Sequence, residues 1–284
     1  MLSDIGKERR LRMLPLRRRR GAGRRGVRRG VYLLPAMLTL GNLFCGYACV
    51  VFATRGDYET AAPFIGFAIV LDMLDGRIAR LTGTASEFGL QFDSLADVIS
   101  FGMAPAVLVF CWGLGPLGRL GWAVGFIFVT AAAMRLARFN IQTVTDKRYF
   151  VGMPSPAAAA VPASTVFLYP AGLHDYREAL PALALMLVPA FLMVSTIRFR
   201  SFKTIDLQAR RSYKVLLLCA LVLVAITTHP RVMLVVLAYA YLASGFVGMA
   251  ITRLRRRGAE AGSPETAGEA RPETPTQAVG PPRK

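Results

Sequence analysis

The sequence predicts an all-α fold, a polytopic bundle of about eight transmembrane helices with both termini in the cytoplasm. Hydrophobic residues make up 54% of the 284 positions and the mean hydropathy is +0.43, which is too apolar for a soluble domain of this length. Eight apolar stretches are long enough, or nearly so, to cross a hydrocarbon layer of about 30 Å as helices. Basic residues cluster at the termini and in alternate connections.

The order of apolar and basic segments defines the expected topology. The spans are expected at residues 31–54, 59–82, 87–113, 119–143, 155–173, 179–198, 213–229 and 231–252. Odd-numbered connections hold about one basic residue each, whereas residues 135–148, 198–214 and 253–257 hold several. Because cytoplasmic loops carry the excess of Lys and Arg, the even-numbered connections and both termini are assigned to the cytoplasm.

The chain divides into three predicted regions: a basic cytoplasmic arm (1–30), a transmembrane domain (31–252) and a C-terminal tail (253–284). The tail is basic at first, and from Gly258 onward its composition predicts disorder. The arginines of the arm either lie on anionic lipid headgroups or serve only as a topology signal. A net charge of +18 that is clustered in this way favours anionic lipid, and not nucleic acid, as the partner.

Four aspartates at the expected cytoplasmic ends of spans two and three are the main candidate for chemistry: Asp72, Asp75, Asp93 and Asp97. An ionisable group within a span costs about 2.5–3.5 kcal/mol, so four of them require compensation. Spacings of three and four residues place each pair on one helix face, and a turn between residues 82 and 87 makes the two faces neighbours. Converging carboxylates need cations, and oxygen ligands select Mg²⁺ or Mn²⁺ over zinc.

Small residues accompany these aspartates. Gly76 and Ala79 follow the first pair, and Gly89 precedes the second. Their lack of bulk lets a phosphate approach the helix backbone, although small residues also serve helix packing in membranes. Arg80 lies one turn beyond Gly76, where its guanidinium either holds a phosphate or pairs with an aspartate.

The spacing of these residues resembles a known signature. The pattern DxxDGxxARx8GxxxDxxxD is matched without a gap by Asp72, Asp75, Gly76, Ala79, Arg80, Gly89, Asp93 and Asp97. It is the signature of the CDP-alcohol phosphatidyltransferase family, and the resemblance implies a six-helix catalytic core, here followed by two more helices, that forms a homodimer.

The resemblance also implies roles for individual residues. Asp72, Asp75, Asp93 and Asp97 would hold two divalent ions at the diphosphate of the CDP-lipid, and Asp97 would also take the proton of the attacking hydroxyl. The remaining implied contacts to the CDP-lipid are Asn42, Gly76, Ala79, Arg80, Ser86 and Gly89.

Two further stretches resemble the membrane-embedded phosphatidylserine synthases of bacteria and archaea. The first runs from Pro35 to Gly46 and keeps Asn42, with Ala36 where that segment usually has Asn. The second comprises Arg135-Leu-Ala-Arg138-Phe-Asn140 and residues 150–156. The resemblance implies a multi-pass enzyme of the cell or inner membrane that transfers the phosphatidyl group of CDP-diacylglycerol to L-serine at a cytoplasmic site.

The residues that could bind the acceptor serine have more than one interpretation. Arg135 and Arg138 either grip the serine carboxylate or anchor span four as positive-inside residues. Asn140 is a candidate for orienting either substrate, and Ser155 is either a helix N-cap or a substrate contact.

Two alternative functions remain. The same chemistry with glycerol 3-phosphate, inositol phosphate or choline is one of them. A cation transporter is the other; it explains carboxylates in membrane spans, but it does not explain the spacing of the glycines, Ala79 and Arg80.

Overall fold

A computed structural model of the chain describes residues 25–83, 86–141, 149–195, 198–200 and 212–261. Within these ranges the α-helices are α1 (Arg25–Thr54), α2 (Tyr58–Thr82), α3 (Glu87–Asp97), α4 (Ala104–Val109), α5 (Arg119–Ile141), α6 (Ser155–Leu168), α7 (Tyr176–Val194), α8 (Ser212–Thr228) and α9 (Pro230–Ala261). Two short strands, β1 (Tyr149–Val151) and β2 (Arg198–Arg200), pair antiparallel. The predicted helical bundle is therefore confirmed, with a small added ribbon.

The third predicted span is one continuous helical segment that changes its winding. A π-helical stretch, Val98–Met103, follows α3, and a second one, Phe110–Leu114, follows α4. A single 3₁₀ turn, Gly115–Leu117, completes the segment. Short π-helical stretches inside α-helices are often found at functional sites, and the first of these begins directly after Asp97.

Five helical segments in the described part of the chain are long and apolar enough to cross a membrane: Leu34–Thr54, Glu87–Leu117, Arg119–Ile141, Tyr176–Val194 and Pro230–Val247. They support an integral membrane protein with several spans. The other three predicted spans correspond to α2, α6 and α8. Helix α2 is not among the five because the aspartates and arginines near its end lower its hydropathy. Helices α6 and α8 are not among them because they are shorter, with 14 and 17 residues.

Several boundaries differ from those predicted. Helix α1 begins at Arg25, inside the predicted basic arm, and α9 continues to Ala261, past the predicted start of the tail. Apolar runs mark only the part of a helix within lipid, while Arg, Ala and Glu continue the helix beyond it. The remaining residues of both terminal regions, 1–24 and 262–284, lie outside the described part of the chain.

The ribbon was not predicted. Helix α7 ends at Val194, so that Arg198, the expected end of span six, lies in β2 instead. Its Cα partner in the ribbon is Val151. The three residues of β1 are all aromatic or β-branched, types that favour extended backbone. The three residues of β2 include a single phenylalanine, and strands this short carry little periodic signal.

The connection between α2 and α3 positions the aspartates. Helix α2 ends at Gly83, which adopts the left-handed conformation with φ 64°, a common helix C-terminus. Helix α3 begins after Ser86, whose Oγ accepts a hydrogen bond from the Gly89 amide at 3.0 Å, as an N-cap does. The two helices therefore end and begin within a few residues of one another, as the turn near Gly83 predicted.

Candidate active site

Helices α2 and α3 bring three carboxylates together. Asp72, Asp75 and Asp93 each offer an oxygen, and these oxygens all lie within 4.8 Å of one another. Asp75 is buried, with 3% of its surface exposed. Repulsion among carboxylates this close and this buried requires a compensating positive charge.

Asp97 lies one helical turn beyond Asp93 and is 8% exposed. It does not belong to the group of oxygens within 4.8 Å, although it interacts electrostatically with Asp72 and Asp93. Its Oδ1 accepts a hydrogen bond from Nδ2 of Asn42 at 3.1 Å. Asp97 is thus a neighbour of the three-carboxylate group and is held from α1.

Helix α1 contributes a second side chain, which the sequence did not single out. Oγ1 of Thr39 lies 2.9 Å from Oδ2 of Asp75, to which it donates, and 3.1 Å from the carbonyl of Pro35. Thr39 and Asn42 are three residues apart and therefore share one helix face. The signal that could have found Thr39 is this spacing between two polar side chains within an apolar run.

A close approach of two backbones fixes α1 against the segment that carries Asp97. A Cβ at Gly46 would lie 2.6 Å from Oγ and 2.8 Å from Cα of Ser100, so only glycine fits at this position. The Ser100 hydroxyl donates to the carbonyl of Asn42 at 2.9 Å. This contact holds Asn42 opposite Asp97.

Three buried side-chain atoms lack a hydrogen-bond partner in the described part of the chain, and all three belong to predicted site residues. They are Oδ1 of Asn42, Oδ1 of Asp93 and Nε of Arg135. Buried polar atoms are normally satisfied, so an orphan calls for an explanation such as a bound ion or ligand. Two of these atoms accept and one donates, which suits a site for both a cation and an anion.

The donor set fits a divalent metal ion. Asp72, Asp75 and Asp93 supply only carboxylate oxygens, the ligands that Mg²⁺ and Mn²⁺ prefer. The unpartnered Oδ1 of Asp93 is a buried oxygen ready for such an ion. Sequence spacing and geometry therefore both bring together three carboxylates that could hold a metal ion.

Arg135 enters the site from α5. Its Nη1 donates to Oγ of Ser155 at 2.6 Å, and its guanidinium interacts electrostatically with Asp97 and Asp72. An interfacial anchor would extend toward water, whereas Arg135 is half-buried and its Nε is fully buried. Ser155 is the first residue of α6, and the N-cap is Pro154, so the N-cap interpretation of Ser155 is wrong. Its hydroxyl serves Arg135 because the side chain points across to α5.

Arg138 and Asn140 occupy different surroundings. Arg138 is exposed and has no hydrogen bond or ion pair among the described residues. Asn140 exchanges hydrogen bonds with Ser94, its Nδ2 donating to Oγ at 3.0 Å. Asn140 therefore ties α5 to α3 beside Asp93 and does not reach Arg135 and Ser155 through any hydrogen bond of the described residues.

The small residues of the signature differ in how closely their neighbours pack against them. A Cβ at Gly76 would make only ordinary contact, 3.5 Å from Nη2 of Arg80, whereas one at Gly89 would lie 3.0 Å from Oγ of Ser86. Packing thus explains Gly89 but not Gly76. Nε of Arg80 donates to the Gly76 carbonyl at 2.8 Å, and no aspartate pairs with it among the described residues. Ala79 is half-buried on the same turn.

Comparison with known proteins identifies the family. Residues 32–194 match the family described as CDP-alcohol phosphatidyltransferase, which is more than half of the chain. The chain belongs to the CDP-alcohol phosphatidyltransferase family. The matched region runs from α1 through α7 and includes every residue placed in the site above.

Several named relatives match this chain over 168 to 198 residues. A CDP-diacylglycerol–serine O-phosphatidyltransferase of Helicobacter pylori is 38% identical over 198 residues, which is 68% of this chain and 83% of the relative. An enzyme of the same name from Bacillus subtilis is 32% identical over 170 residues, 60% of this chain and 91% of the relative. An archaetidylserine synthase of Methanothermobacter thermautotrophicus is 34% identical over 168 residues, 58% and 69% respectively.

Proposed function

We propose that this protein transfers the phosphatidyl group of CDP-diacylglycerol to the hydroxyl of L-serine, giving phosphatidylserine and CMP. The observation that carries the proposal is the group of Asp72, Asp75 and Asp93 oxygens within 4.8 Å of one another. Family membership supports the reaction type. The names of the relatives described above, each of which includes serine, support the acceptor.

Asp72, Asp75 and Asp93, with Asp97 as a fourth ligand, would hold Mg²⁺ or Mn²⁺, and two ions are expected. Bound there, divalent ions neutralise charge on the diphosphate and orient it. The diphosphate of CDP-diacylglycerol would lie over Gly76, where no neighbouring side chain needs the space. Arg80, Ser86, Ala79 and Gly89 would line the same end of α2 and α3.

Asp97 would accept the proton of the serine hydroxyl. As the serine oxygen forms its bond to phosphorus, the bond from phosphorus to the CMP oxygen breaks, and CMP leaves with the electron pair. Asn42 holds Oδ1 of Asp97, which leaves Oδ2 for this proton, since no described residue donates to it. Proton transfer of this kind contributes about 10²–10⁴-fold to a rate.

Arg135 would bind the serine carboxylate. Its guanidinium can grip a carboxylate through two parallel hydrogen bonds, and its buried Nε lacks a partner. Ser155, which accepts from Nη1, would keep the guanidinium edge directed to the acceptor. Arg138 and Asn140 are secondary candidates, because one is exposed and the other is bonded to Ser94.

The proposed reaction also bears on how the chain crosses the membrane. The aspartates lie in the second half of α2 and in α3, the two helices joined by the connection that the positive-inside rule assigns to the cytoplasm. We propose eight spans, both termini in the cytoplasm, a homodimer, and a site that opens to lipid so that the acyl chains stay in the bilayer.

An acceptor panel tests the proposed function. The purified full-length protein is incubated with CDP-diacylglycerol and Mn²⁺, and with serine, glycerol 3-phosphate, inositol phosphate or choline, and the lipid products are identified by mass spectrometry. We expect phosphatidylserine alone. A product with any of the other three and none with serine would refute the acceptor.

A further inference from the structure

Gly152 lies between β1 and α6, and its backbone packs against the end of α7. Its φ of 84° is in the left-handed region, which residues with a side chain rarely adopt. A Cβ at Gly152 would overlap the carbonyl oxygen of Met193 and would lie 3.2 Å from the carbonyl oxygen of Ser195. The backbone conformation and the lack of space therefore both require glycine at this position.

The chain is held to the end of α7 on both sides of Gly152. The Met153 amide donates to the Leu192 carbonyl at 3.0 Å, and the last carbonyls of a helix have no partner among its own amides. Met153 is fully buried. On the other side of Gly152, Val151 is paired with Arg198 in the ribbon that follows α7. The path of the chain into α6 is thus fixed by α7 and the strand after it.

This path leads directly to the predicted acceptor site. Ser155, the first residue of α6, is three residues beyond Gly152 and fully buried. Its Oγ accepts a hydrogen bond from Nη1 of Arg135 at 2.6 Å. Helix α5, which carries Arg135, also packs against α7. Helix α7 therefore contacts both sides of this pair, and the approach at Gly152 determines where Ser155 stands relative to Arg135.

We propose that Gly152 is a positioning residue for the acceptor, acting through Ser155 and Arg135. A long arginine side chain has many rotamers, and binding is favoured when they are restricted beforehand. By allowing the start of α6 to lie against α7, Gly152 places the Ser155 hydroxyl where it holds the guanidinium. The inference rests on the proposed function, because it takes Arg135 as the group that binds serine.

The effect of Gly152 should fall on serine and not on CDP-diacylglycerol. The three atoms nearest to a Cβ at Gly152 belong to Met193 and Ser195, and none belongs to the aspartate group. An added methyl group would therefore displace the start of α6 and leave the carboxylates of α2 and α3 in place.

The test compares Gly152→Ala with Gly56→Ala in the full-length protein, with serine and CDP-diacylglycerol titrated separately. Gly152→Ala should raise the KM for serine about tenfold, while kcat and the KM for CDP-diacylglycerol change less than about twofold. Gly56 is the matched control, because its φ of 79° is similar but a Cβ there meets nothing within 4 Å. Gly56→Ala should leave all three constants at their wild-type values. An unchanged serine KM in Gly152→Ala, or an equal rise in the control, would overturn the inference.

A double-mutant cycle separates positioning from a general loss of packing. Once Ser155 is replaced by Ala, the guanidinium has lost the partner through which Gly152 acts. Adding Gly152→Ala should then change the serine KM less than about twofold. Full additivity of the two changes would overturn the inference, because Gly152 would then act by another route.

A disulfide across the ribbon tests the same idea without filling the space beside Met193, and it decides the matter if Gly152→Ala cannot be purified. Val151 and Arg198 are Cα partners in the ribbon, and a protein with both Val151→Cys and Arg198→Cys is assayed oxidised and after reduction. Because the segment before α6 is inferred to stay in place during turnover, the serine KM of the two forms should agree within about twofold. Activity that is lost on oxidation and restored by reduction would show that the segment must move, and would overturn the inference.

The two proposals fail in different ways. A wild-type protein that forms no phosphatidylserine contradicts the proposed function itself. A wild-type protein that does form it, together with a Gly152→Ala protein of unchanged serine KM, contradicts only the role of Gly152.

Discussion

Asn42 and Asp97 are joined across the bundle by a hydrogen bond in which Nδ2 of the amide donates to Oδ1 of the carboxylate at 3.1 Å. Asn42 is fully buried and Asp97 is 8% exposed, so water does not compete freely for this bond. The amide fixes the rotation of the carboxylate and thereby decides which oxygen is left for chemistry. Helix α1, which carries no signature aspartate, is in this way part of the site.

Asn42→Leu, a change to an apolar side chain of similar size, should slow turnover strongly. A hydrogen bond to a charged group contributes about 1.5–3 kcal/mol, which corresponds to a fall of roughly 10- to 100-fold in kcat if the bond positions Asp97. The measurement is kcat in detergent micelles, and Thr54→Val at the far end of α1 is the control. A rate within a factor of two of wild type, in a protein of unchanged melting temperature, would contradict this role.

Thr39→Val should weaken metal binding more than it weakens substrate binding. Valine keeps the shape of threonine but cannot donate to Oδ2 of Asp75, so the carboxylate loses the partner that orients it. We expect the Mn²⁺ concentration for half-maximal activity to rise about tenfold. Direct Mn²⁺ titration by electron paramagnetic resonance checks this, again with Thr54→Val as the control; an unchanged titration would contradict it.

The fold and the centre of the site were predictable for a physical reason. A helix that crosses lipid needs a long apolar run, and basic residues flank such runs. Every predicted span therefore corresponds to a helix. Helical spacing, together with the predicted turn between residues 82 and 87, placed Asp72, Asp75 and Asp93 near one another. The β1 and β2 ribbon could not be predicted in this way, because three-residue strands have almost no periodicity.

Gly46→Ala should destabilise the protein and also reduce its activity. The added Cβ would meet the backbone of Ser100 at 2.8 Å, and overpacking of this kind costs about 1–3 kcal/mol. Gly66→Ala on α2 is the matched control, since a Cβ there meets nothing within 4 Å. The melting temperature and kcat should both fall in Gly46→Ala and should stay at their wild-type values in Gly66→Ala. Equal behaviour of the two variants would contradict the close packing of α1.

Arg135→Lys should raise the KM for serine about tenfold or more, because an ammonium cannot form the two parallel bonds of a guanidinium. Arg138→Lys should change it less than about threefold, since Arg138 is exposed and without a described partner. Steady-state kinetics with serine as the varied substrate give both values. A larger rise in the serine KM for Arg138→Lys than for Arg135→Lys would mean that Arg138 binds the serine carboxylate.

Contacts between helices distant in sequence account for what sequence reasoning missed. The spacing of Arg135 and Arg138 made them equivalent, and only the contact with Ser155 separates the half-buried Arg135 from the exposed Arg138. Thr39 likewise looked like an ordinary threonine in an apolar run until α1 was seen beside Asp75. The contact between Arg135 and Ser155 leaves no pattern within a single segment, whereas the spacing of Thr39 from Asn42 is a local signal that points to one helix face but not to its partner.

The dependence of CMP release on both serine and a divalent ion tests the central claim most directly. The purified protein in liposomes containing CDP-diacylglycerol is freed of metal with a chelator, and CMP and phosphatidylserine are then measured with and without serine and Mn²⁺. We predict equal amounts of the two products only when both are present, and none from Asp93→Asn, while Asp57→Asn at the N-cap of α2 behaves as wild type. CMP release without serine, or flux of the ion without CMP release, would contradict the claim.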